Sequence, residues 1–400
     1  MRVVHVNTSP YGGAAKGAIG QHLSLLQAGV NSKMLFLFGN VDNIPHAQLL
    51  QVKFPFYKRV LIKLGLYQTQ NMKNIALKKK VKGKFEFISF PWSDFRLDLN
   101  KSIQEADIVN LHWVSNFLDY PSFFKNIKKP VTWTLHDMNP FLGIYHFSDD
   151  ESNNSQNQII DNEIRQIKSE AIKSVKKIRF ICPSSWMLQE VKHSILKEIQ
   201  VNLVPYSVNL DIFAAHPTEI IRKELGIPID RKVILFVSDK ISTTRKGFDI
   251  LKEALDKIES KNLLLIAIGS QMEDNYNFNH EIIMPGRIDD EKILAKYYAA
   301  ADAFILPSRQ DNLPNVMLES LACGTPVISF NIGGMRDFVV DEECGILAKS
   351  VNAEGLSIAI NKFLEQGVNW SRDEIRNFAI ENFSPEKQAA LLMKAYRALI

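Results

Sequence analysis

The chain has 400 residues, of which 46% are hydrophobic and 23% charged, and its formal net charge is +4. This length exceeds what one hydrophobic core normally supports, so we expect two domains in an ordinary soluble protein, neither membrane-spanning nor nucleic-acid-binding. Three scattered cysteines, and a first strand in place of a signal peptide, predict a cytoplasmic protein with no disulfide framework and no metal site.

The amino-terminal sequence predicts a strand at Val3–Asn7, a loop that contains Gly12 and Gly13, and a helix that runs to about Gln27. Two adjacent glycines after a first strand let the backbone approach a ligand closely. The spacing is not G-x-G-x-x-G, so the dinucleotide-binding fingerprint is absent. A tight turn without a ligand explains the glycine pair equally well.

The segment between Asn43 and Phe85 contains no aspartate or glutamate. Its basic residues are Lys53, Lys58, Arg59, Lys63, Lys73, Lys78, Lys79, Lys80, Lys82 and Lys84. The apolar residues among them include Phe54, Phe56, Tyr57, Leu61, Ile62, Leu64 and Leu66. Basic and apolar side chains in alternation suit the surface of an anionic membrane, whereas RNA binding lacks any accompanying module. A pair of basic helices facing only water explains the pattern about equally well.

Two predicted strands of this half, Ile108–Leu111 and Val131–Leu135, are each followed closely by a histidine, His112 and His136. Open α/β sheets bind ligands at the carboxyl ends of their strands. A histidine in such a position is more often structural, so the residues alone leave both roles open. The polar segment 149–157 is expected to be a loop, and the domain boundary is expected near Pro205.

The second half restarts the strand–loop–helix pattern, with a strand at Lys232–Val237 and a helix at 248–258. The loop between them carries Lys240, Arg245 and Lys246. Cationic side chains at the carboxyl end of a first strand are placed to meet a pyrophosphate, although the sequence RKG by itself is a weak motif.

A second strand–loop–helix unit begins at the strand Ala303–Leu306. Asp311 lies in its loop and Glu319 in the first turns of its helix, while the amides of Asn315 and Val316 lie at the helix amino terminus. These amides favour an anion, and carboxylates accept hydrogen bonds from sugar hydroxyls. The combination is typical of a nucleotide-sugar site. The alternative interpretation is that Asp311 caps the helix and Glu319 is a solvated surface residue.

The segment from Phe304 to Gly334 resembles the acidic E-x7-E region of the retaining glycosyltransferases of family 4, including the continuation CGTPVI and two glycines. WTLHDMNPFLG at 133–143 is similar to another segment of that family. Asp311 stands where the family usually has Glu, an exchange familiar in one branch, and Pro314 replaces the usual Gly. The chain is most similar to the branch that makes colanic acid and related exopolysaccharides.

The resemblance covers nearly the whole chain and implies a fold. That fold is α/β GT-B, with two Rossmann-like domains facing a central cleft. Residues 1–205 would form the acceptor-side domain and 206–383 the nucleotide-sugar-binding domain. The last helix, 384–400, would cross back onto the first domain.

The resemblance also implies roles for individual residues. The catalytic candidates are His136 on the donor sugar, Asp311 on the sugar hydroxyls and Lys246 on the leaving diphosphate, and His112 is a weaker candidate. The donor-binding candidates are Gly12, Gly13, Lys240, Arg245, Gly286, Arg287, Ile288, Asn315, Val316 and Glu319. Glu319 would hold the ribose, and residues 286–288 would contact the nucleobase.

The predicted activity is transfer of a hexosyl group, with retention, from a UDP-sugar or GDP-sugar to an acceptor hydroxyl in cell-surface polysaccharide or glycolipid synthesis. The acceptor would be a saccharide or a lipid-linked saccharide. We predict no cofactor, no metal ion and no nucleic-acid partner, and a peripheral contact with anionic lipid at the inner face of the membrane. A nucleotide-sugar epimerase and a non-catalytic GT-B binding protein remain as alternatives. A two-lobed periplasmic binding protein is disfavoured because a signal peptide is not expected.

Overall fold

The computed structural model describes residues 1–50, 55–270, 278–340, 343–365 and 370–400. These residues form two compact units. The first unit contains Met1–Val204 and Gln388–Ile400, and the second contains Pro205–Lys387. Lys53 and Phe54 of the basic segment lie outside the described residues.

Each unit is built around a parallel β-sheet. The sheet of the first unit contains β1 Arg2–Asn7, β2 Asn31–Phe36, β3 Ala47–Leu49, β4 Ile108–Leu111, β5 Val131–Thr134, β6 Ile178–Cys182 and β7 Val201–Leu203. The sheet of the second unit contains β8 Lys232–Lys240, β9 Leu263–Ser270, β10 Glu281–Gly286, β11 Ala303–Leu306, β12 Val327–Phe330 and β13 Gly345–Ala348. The central strands are almost continuously apolar because helices cover both faces of a parallel sheet.

The helices, in chain order, are α1 Gly13–Gln27, α2 Phe56–Lys63, α3 Gln70–Lys78, α4 Lys101–Glu105, α5 Tyr120–Asn126, α6 Ser148–Ser152, α7 Gln158–Lys173, α8 Ser185–His193, α9 Thr218–Leu225, α10 Phe248–Leu255, α11 Glu291–Ala300, α12 Asn315–Ala322, α13 Met335–Phe338, α14 Ala353–Glu365, α15 Arg372–Phe383 and α16 Pro385–Arg397. Within the described part of the chain, no helix is both long and apolar enough to cross a membrane.

The strand order determines where each unit can bind a ligand. The orders are β3-β2-β1-β4-β5-β6-β7 and β10-β9-β8-β11-β12-β13. In each sheet the direction of strand progression reverses once, between β1 and β4 and between β8 and β11. In each pair, the connections that follow the two strands run to opposite faces of the sheet. A crevice therefore opens between the two strands at their carboxyl ends. The loops after β1, β4, β8 and β11 are therefore the candidate ligand-binding loops.

The end of the chain packs on the first unit. Leu392 and Tyr396 of α16 are buried in one cluster with Val3 of β1 and Ile108 of β4. Gln388 accepts a hydrogen bond from Ser24 Oγ at 3.0 Å. The last helix thus returns to the amino-terminal sheet, as the resemblance implies.

The polar segment 149–157 is not a loop, so that prediction is wrong. It contains most of α6 and a short 3-10 turn at Ser155–Asn157. Asn154 and Asn157 are buried and donate hydrogen bonds to the carbonyl oxygens of Lys84 and Lys82, both at 2.8 Å. Hydrogen bonds of side-chain amides, and not apolar contacts, hold this segment in place. An ordered segment therefore has the polar composition that is typical of a loop.

Candidate functional site

The crevice of the second unit contains a charged cluster formed by two loops. Lys246 lies in a 3-10 turn, Thr244–Lys246, after β8, and Asp311 lies in the loop after β11. Lys246 Nζ is 2.5 Å from Asp311 Oδ2. Arg245 Nη1 is 3.7 Å from the same oxygen, and Ser308 Oγ donates to it at 3.3 Å. The structure therefore brings together three of the predicted site residues.

The electrostatics keep Asp311 ionised. Burial raises the pKa of this carboxyl, but the charges of Lys246 and Arg245, with hydrogen bonds from Lys246 and Ser308, outweigh burial and hold the pKa below its usual value. Two cations thus surround one carboxylate, which leaves an excess positive charge in the cluster. Such an excess favours an anionic ligand.

The two loops are attached to each other by hydrogen bonds to backbone carbonyl oxygens. The amide of Arg309 donates to the carbonyl oxygen of Arg245 at 2.8 Å, and Arg245 Nη1 donates to the carbonyl oxygen of Gln310 at 3.1 Å. Gly247 has φ +72°, and a Cβ at this position would lie 1.9 Å from the carbonyl oxygen of Pro307. Only glycine meets both requirements. The distance between Lys246 and Asp311 is therefore set by a fixed scaffold.

The sequence analysis missed part of this scaffold. Arg309 forms a two-point ion pair with Asp249, at 2.8 and 2.6 Å, and also donates to the carbonyl oxygen of Thr244. Gly333 has φ +55°, and its Cβ would lie 2.0 Å from the carbonyl oxygen of Asp311. The glycine pair at 333–334 was a usable signal, whereas nothing local marked Asp249 as the partner of Arg309.

Helix α12 begins next to the cluster. Pro314 is its N-cap residue and its side chain donates or accepts no capping hydrogen bond; Asn315 and Val316 are the first residues of the helix, as predicted. Asp311 directs its carboxylate to Lys246 instead, and the alternative that it caps the helix is wrong. The helix amino terminus consequently adds a positive end of a dipole to this edge of the sheet.

Glu319 is 2% exposed, so the alternative that it is a solvated surface residue is also wrong. The phenol of Tyr298, a buried residue of α11, donates to Glu319 Oε2 at 3.1 Å. Burial, and then the adjacent carboxylate, raise the pKa of Tyr298 well above its usual value, so the phenol keeps its proton. No sequence signal distinguished Tyr298 from an ordinary core residue of an amphipathic helix.

The other donor-binding candidates of the second unit lie at carboxyl ends of strands. Lys240 was predicted to lie in the loop after a strand that ends at Val237, but β8 continues to Lys240, which pairs with Ser270 of β9. Lys240 is exposed, and Gly286 ends β10 with φ +83°. Arg287 forms an exposed ion pair with Asp289 at 2.7 Å. Ile288 is half-buried against the core of this unit. The structure places these residues at the predicted edge of the sheet.

The candidates of the first unit follow β1 and β5, at the carboxyl edge of its sheet. Gly12 caps α1 with φ +86°, a conformation that favours glycine, and Gly13 is the first residue of that helix. His136 follows β5, and its Nε2 is 2.9 Å from Nδ1 of His112. Burial lowers the pKa of His136 to about 4, although Asp137 partly offsets this effect. His136 is therefore a neutral imidazole at neutral pH.

A Ser–His–Asp arrangement beside His136 has a structural role. His146 Nδ1 is 2.5 Å from Asp137 Oδ2, and His146 Nε2 is 2.9 Å from Ser89 Oγ. Ser89 is 2% exposed and also contacts Asn139 Oδ1 at 3.2 Å. A nucleophile must reach a substrate carbonyl, and this hydroxyl is enclosed by the protein. The group instead fixes the loop that follows β5.

The family model described as Glycosyl transferases group 1 matches residues 217–382. This range includes Lys246, Asp311, Tyr298 and Glu319. The second unit is thus similar in sequence to the group 1 glycosyltransferases.

Curated proteins give a matching result. The chain is 27% identical over 208 residues to a D-inositol 3-phosphate glycosyltransferase of Mycobacteroides abscessus, which covers 49% of this chain and 46% of that protein. It is 26% identical over 204 residues to the putative teichuronic acid biosynthesis glycosyltransferase TuaC of Bacillus subtilis, covering 50% of this chain and 51% of TuaC. The aligned part of the chain spans about half the length of these relatives.

Solved structures extend the likeness to the whole chain. HepE of Anabaena, in complex with UDP, matches with a TM-score of 0.67 and 14% identity over 100% of both chains. At that identity the match shows the fold alone, and the structural neighbours are GT-B glycosyltransferases. The predicted α/β class with two Rossmann-like domains is confirmed.

Proposed function

We propose that this protein is a retaining hexosyltransferase that moves a sugar from a nucleoside diphosphate sugar to an acceptor hydroxyl. The observation that carries the proposal is the ion pair between Lys246 and Asp311 at the crevice of the second unit, inside the segment that matches the group 1 glycosyltransferases. The complex of HepE with UDP supports a uridine nucleotide as the donor's leaving group, and a GDP-sugar is the second donor to test.

Lys246 and Arg245 would bind the diphosphate. Breaking the bond between a sugar and its diphosphate places negative charge on the leaving oxygen, and preorganised cations stabilise that charge. Before the donor arrives, Asp311 holds Lys246 in place and balances part of its charge. The amides of Asn315 and Val316 would contact the same phosphates from the helix amino terminus.

The acids would bind hydroxyls. Asp311 would accept hydrogen bonds from the sugar, and Glu319 would accept hydrogen bonds from the ribose. Tyr298 occupies Oε2 of Glu319 and so orients the carboxylate. The remaining assignments rest on the resemblance. The nucleobase would contact Gly286, Arg287 and Ile288, and the diphosphate would lie near Lys240. The donor sugar would contact His136, Gly12 and Gly13.

Cations of the protein would replace a metal ion in this mechanism. Among the described residues, no group of three or more histidine, cysteine, aspartate or glutamate side chains is placed to hold one. No cofactor beyond the donor itself enters the proposed reaction.

The acceptor would be a saccharide or a lipid-linked saccharide at the inner face of the membrane. In α2 no side chain is buried, and Phe56 and Tyr57 are 79% and 60% exposed. Leu64 and Leu66, just after the helix, are 64% and 73% exposed. Apolar side chains among lysines, without a nearby acid in the sequence, suit insertion into anionic headgroups. We therefore propose a cytoplasmic enzyme that docks on anionic lipid, and the name of TuaC supports a role in polysaccharide synthesis.

The test is transfer and binding with a panel of UDP- and GDP-sugars. We expect calorimetric binding of at least one donor, and release of its nucleoside diphosphate that increases when an acceptor saccharide is added. Lys246→Ala should weaken donor binding and slow the release strongly. The matched control is Lys296→Ala, which should change neither, because the Lys296 side chain is 44% exposed and paired with Glu224. Binding without turnover would indicate a binding protein, and interconversion of free donors would indicate an epimerase.

A further inference from the structure

Two exposed aromatic side chains lie on neighbouring loops of the first unit. Tyr11 belongs to the loop after β1 and is 60% exposed, and Phe38 belongs to the loop after β2 and is 53% exposed. β1 and β2 are adjacent and parallel, with Asn7 paired to Phe36 at their carboxyl ends. Both loops therefore lie at the edge where open α/β sheets bind ligands.

The exposed ring of Tyr11 is held against the loop after β2. Its hydroxyl oxygen accepts a hydrogen bond from the amide of Asn40 at 3.0 Å. Gly39 has φ +113°, and a Cβ at this position would lie 3.1 Å from Cε2 of Tyr11 and 2.4 Å from Cδ of Pro10. Only glycine lets the two loops approach so closely. Phe38 directly precedes this contact in the chain.

The backbone of the two loops is fixed as well. The carbonyl oxygen of Thr8 accepts hydrogen bonds from the amides of Leu37, at 3.0 Å, and Phe38, at 3.4 Å. Asn7 Nδ2 donates to the carbonyl oxygen of Ser9 at 2.7 Å. Because the loops are already ordered in the folded chain, a ligand that binds them costs the protein little conformational entropy.

The chemistry of these loops suits a neutral ligand. Residues 7–15 and 34–41 contain no charged side chain. Among the described residues none accepts the proton of the Tyr11 hydroxyl, so this group can donate to a ligand oxygen. Beside it, a Cβ on Gly12 would have no described atom within 4 Å, which leaves room for a ligand. The electron-rich face of an aromatic ring attracts the C–H groups of a pyranose, and a phenol proton binds a sugar oxygen.

We propose that Tyr11 and Phe38 bind a sugar ring of the acceptor saccharide and help to select the acceptor. This inference rests on the proposed function, in which Lys246 and Arg245 bind the charged diphosphate of the donor. An acceptor saccharide offers neutral sugar rings, which match exposed aromatic faces on loops without charge. Lipid and a second copy of this chain are the other occupants, and the tests distinguish them.

The first test is binding of neutral saccharides to the whole chain without donor or lipid. The probes are maltose, cellobiose, lactose and mannobiose. NMR of carbon-labelled tyrosine rings reports binding, with the resonances of Tyr11 assigned through Tyr11→Phe. We expect saturable shifts of these resonances with at least one probe. If none of the four probes shifts them, the proposal is overturned.

Substitutions test whether the two rings supply the affinity, which saturation-transfer NMR of the saccharide measures. Tyr11→Ala and Phe38→Ala should each weaken binding by about tenfold, because each removes an aromatic face. Tyr11→Trp keeps a ring and should retain binding. The control, Ile159→Ala, removes an apolar side chain that is 88% exposed in α7 and should change nothing. Equal affinity of all four variants, at unchanged melting temperatures, would overturn the proposal.

Two further measurements identify the other occupants. If the two alanine variants keep their saccharide affinity and sediment less with anionic liposomes, the rings contact lipid. If they keep that affinity and self-associate less in analytical ultracentrifugation, the rings contact a second copy of the chain. Either result would overturn the proposal.

The last test separates the acceptor from the donor. Tyr11→Ala should raise the KM for the acceptor by about tenfold and leave the KM for the donor unchanged. An equal rise in both KM values would contradict an acceptor contact. If the unmodified protein transfers no sugar, the proposed function fails, whereas the binding tests still decide whether Tyr11 and Phe38 form a saccharide site.

Discussion

Lys246 Nζ lies 2.5 Å from Asp311 Oδ2, so the cation proposed for the diphosphate is held by the acid proposed for the sugar. A bound phosphate would compete with this carboxylate for the ammonium group. The two residues are consequently coupled, and their substitutions should not have additive effects.

Asp311→Asn should separate sugar binding from diphosphate binding. The amide accepts weaker hydrogen bonds than the carboxylate, a difference of about 1–2 kcal/mol per bond, so transfer should fall strongly. Affinity for the bare nucleoside diphosphate should stay equal or increase, because Lys246 no longer has to share its charge with Asp311. Calorimetry with the diphosphate and with the sugar nucleotide measures both effects.

Two further variants serve as controls for this comparison. Lys246→Ala should weaken binding of the diphosphate and of the sugar nucleotide alike, by roughly tenfold or more, because both lose the same charge-assisted contact. Asp311→Glu introduces the residue usual at this position in the family that the sequence resembles, and it should keep measurable activity. If Asp311→Asn lost diphosphate binding as severely as Lys246→Ala, Asp311 would be a structural support of the lysine and not a sugar ligand.

Tyr298→Phe should raise the KM for the donor without an equal fall in kcat. The change removes only the hydroxyl that donates to Glu319 Oε2, and a hydrogen bond to a charged group contributes about 1.5–3 kcal/mol. The carboxylate would lose its orientation toward the ribose, a contact present in the ground state and in the transition state. Tyr297→Phe, at the adjacent residue of α11, is the matched control. If the two variants had equal kinetic constants, the assignment of Glu319 as a donor-binding residue would be contradicted.

The sequence predicted the local elements around the site because they depend on short-range patterns. Apolar runs bounded by turn residues located β4 and β11 with the bounds that the structure has, and the amides of Asn315 and Val316 lie at the start of α12 as predicted. The basic loop after β8 was also located from the chain itself, because cationic side chains at the end of a first strand are visible in the sequence.

Long-range partners could not be predicted in the same way. Tyr298 reaches Glu319 across 21 residues, and Lys246 reaches Asp311 across 65, through contacts that exist only after the strands have paired. The contacts between the histidines His5, His112 and His136 depend on the order β1-β4-β5 and its register. The sequence marked two of these histidines as candidates, but it carried no sign that they touch.

Transfer should continue in excess EDTA. Lys246 and Arg245 would supply the positive charge that stabilises the leaving diphosphate, so removal of divalent cations should change the rate less than twofold or so. The measurement is release of the nucleoside diphosphate with EDTA, and again after Mn²⁺ is restored in excess. If the chelator abolished activity and Mn²⁺ restored it, a metal ion, and not Lys246 and Arg245, would supply the positive charge that stabilises the leaving diphosphate.

Membrane docking should depend on the basic segment. Replacing Lys78, Lys79 and Lys80 with glutamine should weaken sedimentation with anionic liposomes at low salt, since each basic residue near such a surface contributes about 1 kcal/mol. The control replaces Lys125, Lys128 and Lys129, which lie outside that segment, with glutamine. This change lowers the net charge by the same amount and should have a smaller effect on sedimentation. If both triple variants sediment alike, the protein is attracted to the membrane only by its overall charge. If the unmodified protein binds neutral and anionic liposomes equally, the contact is not electrostatic.

Lys168 should make the stability of the first unit depend on pH between about 7 and 9. Its ammonium group is buried and donates to the carbonyl oxygens of Asn139 and Gly143, at 3.0 and 2.6 Å, behind the loop that follows β5. Burial lowers the pKa of Lys168 to about 7, whereas a lysine in the unfolded chain has a pKa near 10.4. Above pH 7 the unfolded state therefore binds more protons than the folded state, and the free energy of unfolding should rise with pH.

The slope cannot exceed about 1.4 kcal/mol per pH unit for one group. Buried thiols act in the opposite direction, since burial raises the pKa of Cys344 to about 11 and that of Cys182 further, so the absolute stability is not diagnostic. The difference between the unmodified protein and Lys168→Met cancels these contributions. Urea unfolding of both proteins at pH 7 and pH 9 should show the lysine-containing protein gaining stability relative to the variant. Parallel pH dependence would mean that Lys168 keeps its proton in the folded chain, with its charge balanced by Asp137 and Asp161.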